Sequence, residues 1–177
     1  VPFYRTRELV SLAKNEPFRS SIYIADDYYE ELIAKYGMPD EGDFLVSGVG
    51  TLGIIYQVRE NDKFYFKDGN VLWFRKEKEV SSDFFKYCFL SDYIQNQINI
   101  QASVTTVGTY TITNAKKTKF HCPPLEEQQK IATVLTNADK EIELLEQQLV
   151  DLQQEKKALM QVLLTGKKRV LVDGESV

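Results

Sequence analysis

Residues Pro123 to Val170 read PPLEEQQKIATVLTNADKEIELLEQQLVDLQQEKKALMQVLLTGKKRV, a diproline followed by a segment with neither Gly nor Pro from Leu125 to Thr165. Proline cannot donate a backbone hydrogen bond inside a helix, but it suits the position where one begins. Glu126 and Glu127 then fall in the first turn, where carboxylates oppose the positive end of the helix dipole. Gly166 followed by Lys167, Lys168 and Arg169 marks the other end. The pattern predicts one uninterrupted helix of roughly 60 Å, at about 1.5 Å per residue. Thr136-Asn137-Ala138-Asp139 is its stretch of weakest helix propensity and the expected place for a kink.

With Leu135 taken as position a of a heptad, the a and d positions are Leu135, Ala138, Ile142, Leu145, Leu149, Leu152, Lys156, Leu159 and Leu163. Lys156 alone interrupts the apolar seam, and one polar residue at an a position is a means of fixing register. A seven-residue repeat specifies a coiled coil rather than a globular core helix. Each large apolar side chain is worth about 1.5–3 kcal/mol on burial, so leaving this seam wet costs on the order of 10–20 kcal/mol at most. A partner helix is therefore expected to cover it, the alternative being packing against the chain's own domain.

This segment resembles the conserved C-terminal region of the specificity subunits of type I restriction-modification systems. The matching residues are Pro123-Pro124-Leu125, Glu127-Gln128, Lys130-Ile131-Ala132, Leu135, Asp139, Ile142 and the closing Leu159-Met160-Gln161-Val162-Leu163-Leu164-Thr165-Gly166. Val1-Pro2-Phe3-Tyr4-Arg5-Thr6, Gly42-Asp43-Phe44-Leu45, Gly50-Thr51-Leu52-Gly53 and Lys119–Pro124 are similar, more loosely, to a target-recognition domain of that family. Members of the family usually carry two such domains and two conserved helices. On the resemblance, this chain, which begins at Val1 with one of each, is expected to be half a subunit lacking the start of its recognition domain.

Composition agrees with one domain and an extension in 177 residues. All ten Tyr and ten Phe precede residue 124, enough aromatic surface for a core there. Cys88 and Cys122 make no disulfide framework, and no stretch reaches the length of a membrane span, so a cytoplasmic protein is expected. The net charge of −4 is unfavourable for a nucleic-acid binder. Basic residues nevertheless gather at Arg5, Arg7, Lys14 and Arg19 and again at Lys116, Lys117 and Lys119. If these clusters share a face, a DNA surface exists despite the total.

Before Pro123 the pattern predicts a mixed α+β domain with a curled sheet. Asp27 caps a helix that Gly37 stops, and Asp43–Ser47 and Ile54–Val58 are strands joined through Gly48–Gly53. Phe64–Phe66 and Val71–Arg75 read as a hairpin across Lys67-Asp68-Gly69-Asn70. Ser82 caps a helix through Leu90 that resumes after Ser91 towards Ile98, Gln101–Asn114 is polar and Thr-rich, and Lys119–Cys122 is a last strand. The expected organisation is a recognition domain over 1–124, a long helix over 125–166, and a basic-then-acidic tail over 167–177.

Three patterns suggest enzymes and do not sustain them. Gly48-Val49-Gly50-Thr51-Leu52-Gly53 has the glycine spacing of a dinucleotide site, but a strand rather than a helix follows it. The glycines are then expected to serve positive φ angles and close backbone approach. Cys122-Pro123-Pro124-Leu125 resembles the diproline core of adenine methyltransferases but lacks the Asp or Asn before the prolines and the aromatic after them. Pro39-Asp40 is followed by no Asp/Glu-x-Lys pair up to Lys86 of the kind a metal-dependent nuclease needs, and His121, the only histidine, is expected to be structural.

DNA reading needs donors on protruding elements and cations for phosphates. The candidates are Arg5, Thr6 and Arg7 after an apolar strand, Ser103, Thr105, Thr106, Thr109 and Tyr110 in the polar stretch, and Lys116, Lys117 and Lys119 for the backbone. The resemblance implies a non-catalytic subunit without catalytic residues, metal or cofactor of its own. It directs methyltransferase subunits and motor-nuclease subunits to a bipartite site on double-stranded DNA. S-adenosylmethionine, ATP and magnesium would sit on those partners. It further implies antiparallel pairing of conserved helices, here a homodimer through Leu135–Leu163. A recognition fragment of a fused restriction-methyltransferase and a coiled-coil adaptor that binds only protein remain the alternatives.

Overall fold

The structure, a computed structural model, describes residues 1–20, 22–66, 69–102 and 108–170. The chain divides into two compact units, Val1–Ala132 and Thr133–Val177.

The first unit is organised by one strand. β1 (Phe44–Ser47) lies between β2 (Ile55–Gln57) and β3 (Val71–Phe74) in an open antiparallel sheet of order β2-β1-β3. Leu45 stands opposite Tyr56 on one side and Trp73 on the other. All four β1 residues are buried because both faces are covered, which is why its sequence runs apolar without alternating. Phe44 and Val46 point into a core with Ile55, Leu72, Phe89, Ile94, Ile98 and Tyr110. Leu45 points the other way, towards Leu9, Tyr56, Val58, Phe64 and Phe66. The first core is roofed by α3 (Ser82–Leu90) and α4 (Asp92–Ala102), the second by α1 (Thr6–Ala13). The remaining helices of this unit are α2 (Asp26–Tyr36) and the single turn α5 (Ile112–Ala115).

Asp43, buried at the start of β1, joins three segments. Its carboxylate accepts from the Asp40 amide at 3.0 Å, the Trp73 indole at 2.8 Å and the Lys76 amide at 2.8 Å. Asp43→Asn keeps the size but loses charge-assisted bonds, and is expected to lower stability by about 1–2 kcal/mol. A denaturant midpoint indistinguishable from wild type would refute that role.

The glycine turn between β1 and β2 behaves as its sequence suggests. A Cβ on Gly48 would meet the Tyr110 carbonyl at 2.8 Å, because Gly48 and Tyr110 pair backbone to backbone. Gly53 adopts φ +69° with Gln95 against it. Gly37 stops α2 at φ +76°, and Gly166 takes φ +72° just after the long helix.

Several local expectations are corrected. The hairpin of Phe64–Phe66 with Val71–Arg75 does not form: β3 pairs with β1, while Tyr65 bridges Phe3. The central strand needs a neighbour on each side, and that non-local demand outweighs the turn signal. Of that turn, Lys67 and Asp68 lie outside the described residues. Lys119–Cys122 is not a strand. Gln97 instead bonds both the amide and the carbonyl of Lys119, and Phe120 packs on Phe85 at 5.4 Å. Ser81, not Ser82, caps α3, which frees the Ser82 hydroxyl to donate to Gly42. Helix α2 begins at Asp26 rather than after an Asp27 cap, and α1 occupies residues read as following an apolar strand.

Helix α6 (Leu125–Leu163) is unbroken through Thr136–Asp139. Its amides at Glu127 and Gln128 donate to the Pro124 carbonyl, the role expected of the diproline. Its first turns fall in the first compact unit, which runs on to Ala132.

Candidate nucleic-acid interface

The sequence candidates fall into two groups on different elements. Arg5 stands at the N-terminus of α1, a helix that packs on β2 and β1. Its amide donates to the Glu8 carboxylate at 3.0 Å, and its guanidinium lies 3.4 Å from the same group. Burial works to raise the Glu8 carboxyl, but the hydrogen bonds from Arg5 outweigh it and hold the group below the usual carboxylate range. Arg5 is thus half engaged in closing a helix. Thr6 is half-buried, and its hydroxyl has no partner among the described residues. Arg7 is exposed and free to reach outward.

The second group surrounds α5, which packs on α4. Thr109 is half-buried and bridges Val49. Thr111 caps α5 by accepting from the Asn114 amide. Lys116, Lys117 and Lys119 follow at the helix end, all exposed, and none has a carboxylate partner among the described residues. Close spacing and an anchored backbone make this triplet a compact cationic feature.

Tyr110 is corrected: its side chain is 2 % exposed and belongs to the core. Its hydroxyl shares a 2.9 Å hydrogen bond with Thr118, and burial raises its pKa, partly offset by that bond. A tyrosine in a polar sequence stretch reads as surface. Its burial follows from pairing with Gly48, which is non-local. Ser103, Thr105 and Thr106 lie outside the described residues.

Gln128 was legible only as part of a sequence motif. It is 1 % exposed, accepts from the Ser81 amide at 2.9 Å, and donates to the carbonyls of Glu79 at 3.0 Å and Pro123 at 2.7 Å. The first turn of α6 is thereby bonded to the loop that starts α3.

Between β3, α3 and α5 lies a cavity of about 530 Å³ walled by Tyr65, Trp73, Phe74, Phe85, Phe89 and Phe120, with Lys116 and Thr118 at its border. Its walls are apolar and suit no phosphate. Burial, with Cys122 nearby, raises the Cys88 thiol, so Cys88 is poorly disposed to act as a thiolate nucleophile. Among the described residues no group of three or more His, Cys, Asp or Glu could hold a metal ion. Nor is any described helix long and apolar enough to cross a membrane.

In the second unit the seam is exposed. Leu135 is 38 % exposed, Leu145 57 %, Leu152 61 % and Leu159 47 %; Ala138, Ile142, Leu149, Lys156 and Leu163 are likewise exposed.

Residues 1–154 match the type I restriction modification DNA specificity domain. The chain belongs to that family. A specificity-domain chain of this kind is 29% identical over 137 residues to a putative type I restriction enzyme specificity subunit of Haemophilus influenzae, covering 76% of this chain and 32% of that one. It is 26% identical over 161 residues to the type I restriction enzyme MjaVIII specificity subunit of Methanocaldococcus jannaschii, covering 84% and 36%. The fold is similar to that of the HsdS subunit from Thermoanaerobacter tengcongensis, with a TM-score of 0.58 and 21% identity over 76% of this chain and 36% of that one. A structure from a study of complex assembly and conformational transition of the type I restriction-modification system gives 0.60, at 17% identity over 92% and 36%. The specificity-domain chain spans about a third of the length of these relatives. The mixed helix-and-sheet fold with a long C-terminal helix agrees with the solved relatives.

Proposed function

We propose that this chain is a DNA-recognition half of a type I specificity subunit, and that two copies joined through Leu135–Leu163 read a symmetric split site. The observation carrying this reading is the family match over residues 1–154 together with an exposed heptad seam in the same chain. The chain brings methyltransferase subunits, and for cleavage motor-nuclease subunits, to double-stranded DNA. It contributes no catalytic group, and S-adenosylmethionine, ATP and magnesium act on those partners. A rod of roughly 60 Å suits two recognition units about one DNA turn, ~34 Å, or somewhat more apart.

Lys116, Lys117 and Lys119 supply phosphate contacts, with Arg7 as a second cation and Arg5 and Thr6 shaping the start of α1. Thr109 supplies a polar group, and Ser103, Thr105 and Thr106 are base-reading candidates from the sequence alone. Changing the three lysines to glutamate is expected to weaken binding by about 10-fold or more on every sequence and to reduce the salt slope by about 2–3. A gel shift with methyltransferase subunits present, run over a salt series, measures both. Binding to the split site with an unchanged slope would remove the lysines from the interface. Absence of any sequence-selective shift would favour the protein-only adaptor.

A further inference from the structure

Helix α4 reads DYIQNQINIQA, five amide side chains in eleven residues, and its one charge, Asp92, stands at the first position, where a carboxylate opposes the helix dipole. One side of the helix, Ile94, Ile98 and Ala102, is buried in the core. Two of its amides are structural. Gln95 donates to the carbonyls of Phe89 at 2.7 Å and Gly53 at 3.2 Å. Gln97 grips the backbone of Lys119, donating to its carbonyl at 2.8 Å and accepting from its amide at 2.9 Å. Asn96 and Asn99 point away from the core, are exposed, and make no side-chain hydrogen bond among the described residues. Tyr93 and Ile100 share that face and are 63 % and 69 % exposed. Asparagine is a weaker helix former than Lys, Glu or Gln, so helix stability does not account for two of them on an exposed helical face.

We infer that α4 is the base-reading helix of this unit, laid in the major groove of duplex DNA with Asn96 and Asn99 on adenines of neighbouring base pairs. This rests on the DNA-recognition reading proposed above and adds residues that read sequence, which the lysines do not. The chemistry fits: an asparagine carbonyl accepts from the adenine N6 amine while its amide donates to N7, and an α-helix enters the major groove. Residues three apart rise by about 4.5 Å along a helix, close to the ~3.4 Å step of one DNA strand. Tyr93 and Ile100 beside them offer apolar surface of the kind that meets thymine methyl groups. Charge selects the same face. Gln97 fixes Lys119 along one flank of it, and Lys116 and Lys117 follow α5, which packs on α4, so cations stand where the phosphates of such a groove would run. By contrast α2 presents Asp26, Asp27, Glu30 and Glu31 to solvent, a surface that repels phosphate.

Asn96→Ala and Asn99→Ala, each in the full chain assembled with methyltransferase subunits, are compared with wild type by selection from randomised duplex DNA and by binding over a salt series. Each variant is expected to lose about 10–100-fold of the preference for adenine at one position of the half-site, with the other positions unchanged. The salt slope should stay that of wild type, because an amide displaces no counterion. Alanine is the better helix former, so both variants should melt at or above the wild-type temperature, which separates lost preference from lost folding. Asn96→Arg is expected to move the preference at its position from adenine to guanine. Variants that match wild type at every position, or that bind every sequence equally less well, would overturn α4 as the reader and leave the recognition reading standing. Impaired assembly with methyltransferase subunits, at unchanged base preference, would make this face a protein-docking surface and overturn it as well. A wild-type complex that selects no sequence would defeat the recognition reading itself, and this inference with it.

Discussion

Replacing Leu145 and Leu149 with aspartate is expected to turn the protein into a monomer at micromolar concentration. The two leucines flank the centre of the seam and are 57 % and 55 % exposed in the single chain. Pairing buries four such side chains per dimer, at about 1.5–3 kcal/mol each, so their loss costs about 6 kcal/mol or more. That corresponds to a dissociation constant raised by at least about 10⁴-fold. The second unit is a lone helix whose apolar face lacks cover, and isolated helices owe little stability to propensity alone. Sedimentation and circular dichroism should therefore report dimer loss and partial helix loss together, while the first unit keeps its own unfolding transition. A wild-type chain that is fully helical and monomeric at micromolar concentration would end the pairing model.

The second large effect is expected at Gln128. Gln128→Leu fills the same space but strands the Ser81 amide and the carbonyls of Glu79 and Pro123, all bonded to Gln128 in the native chain. Buried backbone groups left unpaired cost about 1–3 kcal/mol each and are not additive, so a loss of about 3–5 kcal/mol is expected. Gln128→Glu should also be severe near neutral pH, because an ionised carboxylate would face two carbonyl oxygens. Its folded-state pKa would be raised, so the variant should keep its stability below the ordinary carboxylate range and lose it as pH rises. Denaturant midpoints of the first unit from acid to neutral pH measure both variants. A change under 1 kcal/mol for Gln128→Leu would show that the anchor is dispensable.

Legibility in the sequence followed the range of the interactions. The long helix was readable because its signals are local: diproline at one end, Gly166 at the other, no breaker between, and a period that repeats. The Gly48–Gly53 turn and the stop at Gly37 were readable for the same reason, since a glycine's conformational freedom belongs to the residue. The family resemblance rested on those same local motifs. The choice of β1 as the partner of Val71–Phe74 was not readable, because the turn signal at Gly69-Asn70 speaks only for its own neighbours. Helix α1 is short, and its capping by Arg5 and Glu8 lacks the usual Ser, Thr, Asp or Asn at the N-cap.

Among the candidate DNA contacts, charge was legible and burial was not. The lysines at 116, 117 and 119 are exposed as their type suggests, whereas Tyr110 lies in the core and Arg5 is held by Glu8. Gln128 offered no signal beyond membership of a motif, since a glutamine in the first turn of an amphipathic helix usually faces water.

By itself the amino-acid chain determined the C-terminal rod, its heptad seam and the single lysine interrupting it, because helical periodicity is written every three or four residues. Only the tertiary structure decided which strand lies at the centre, which tyrosine is interior and how the first turn of the rod is tied to the loop before α3. Those outcomes depend on pairings between residues far apart in sequence, such as Gly48 with Tyr110 and Ser81 with Gln128, and such pairings leave no periodic trace.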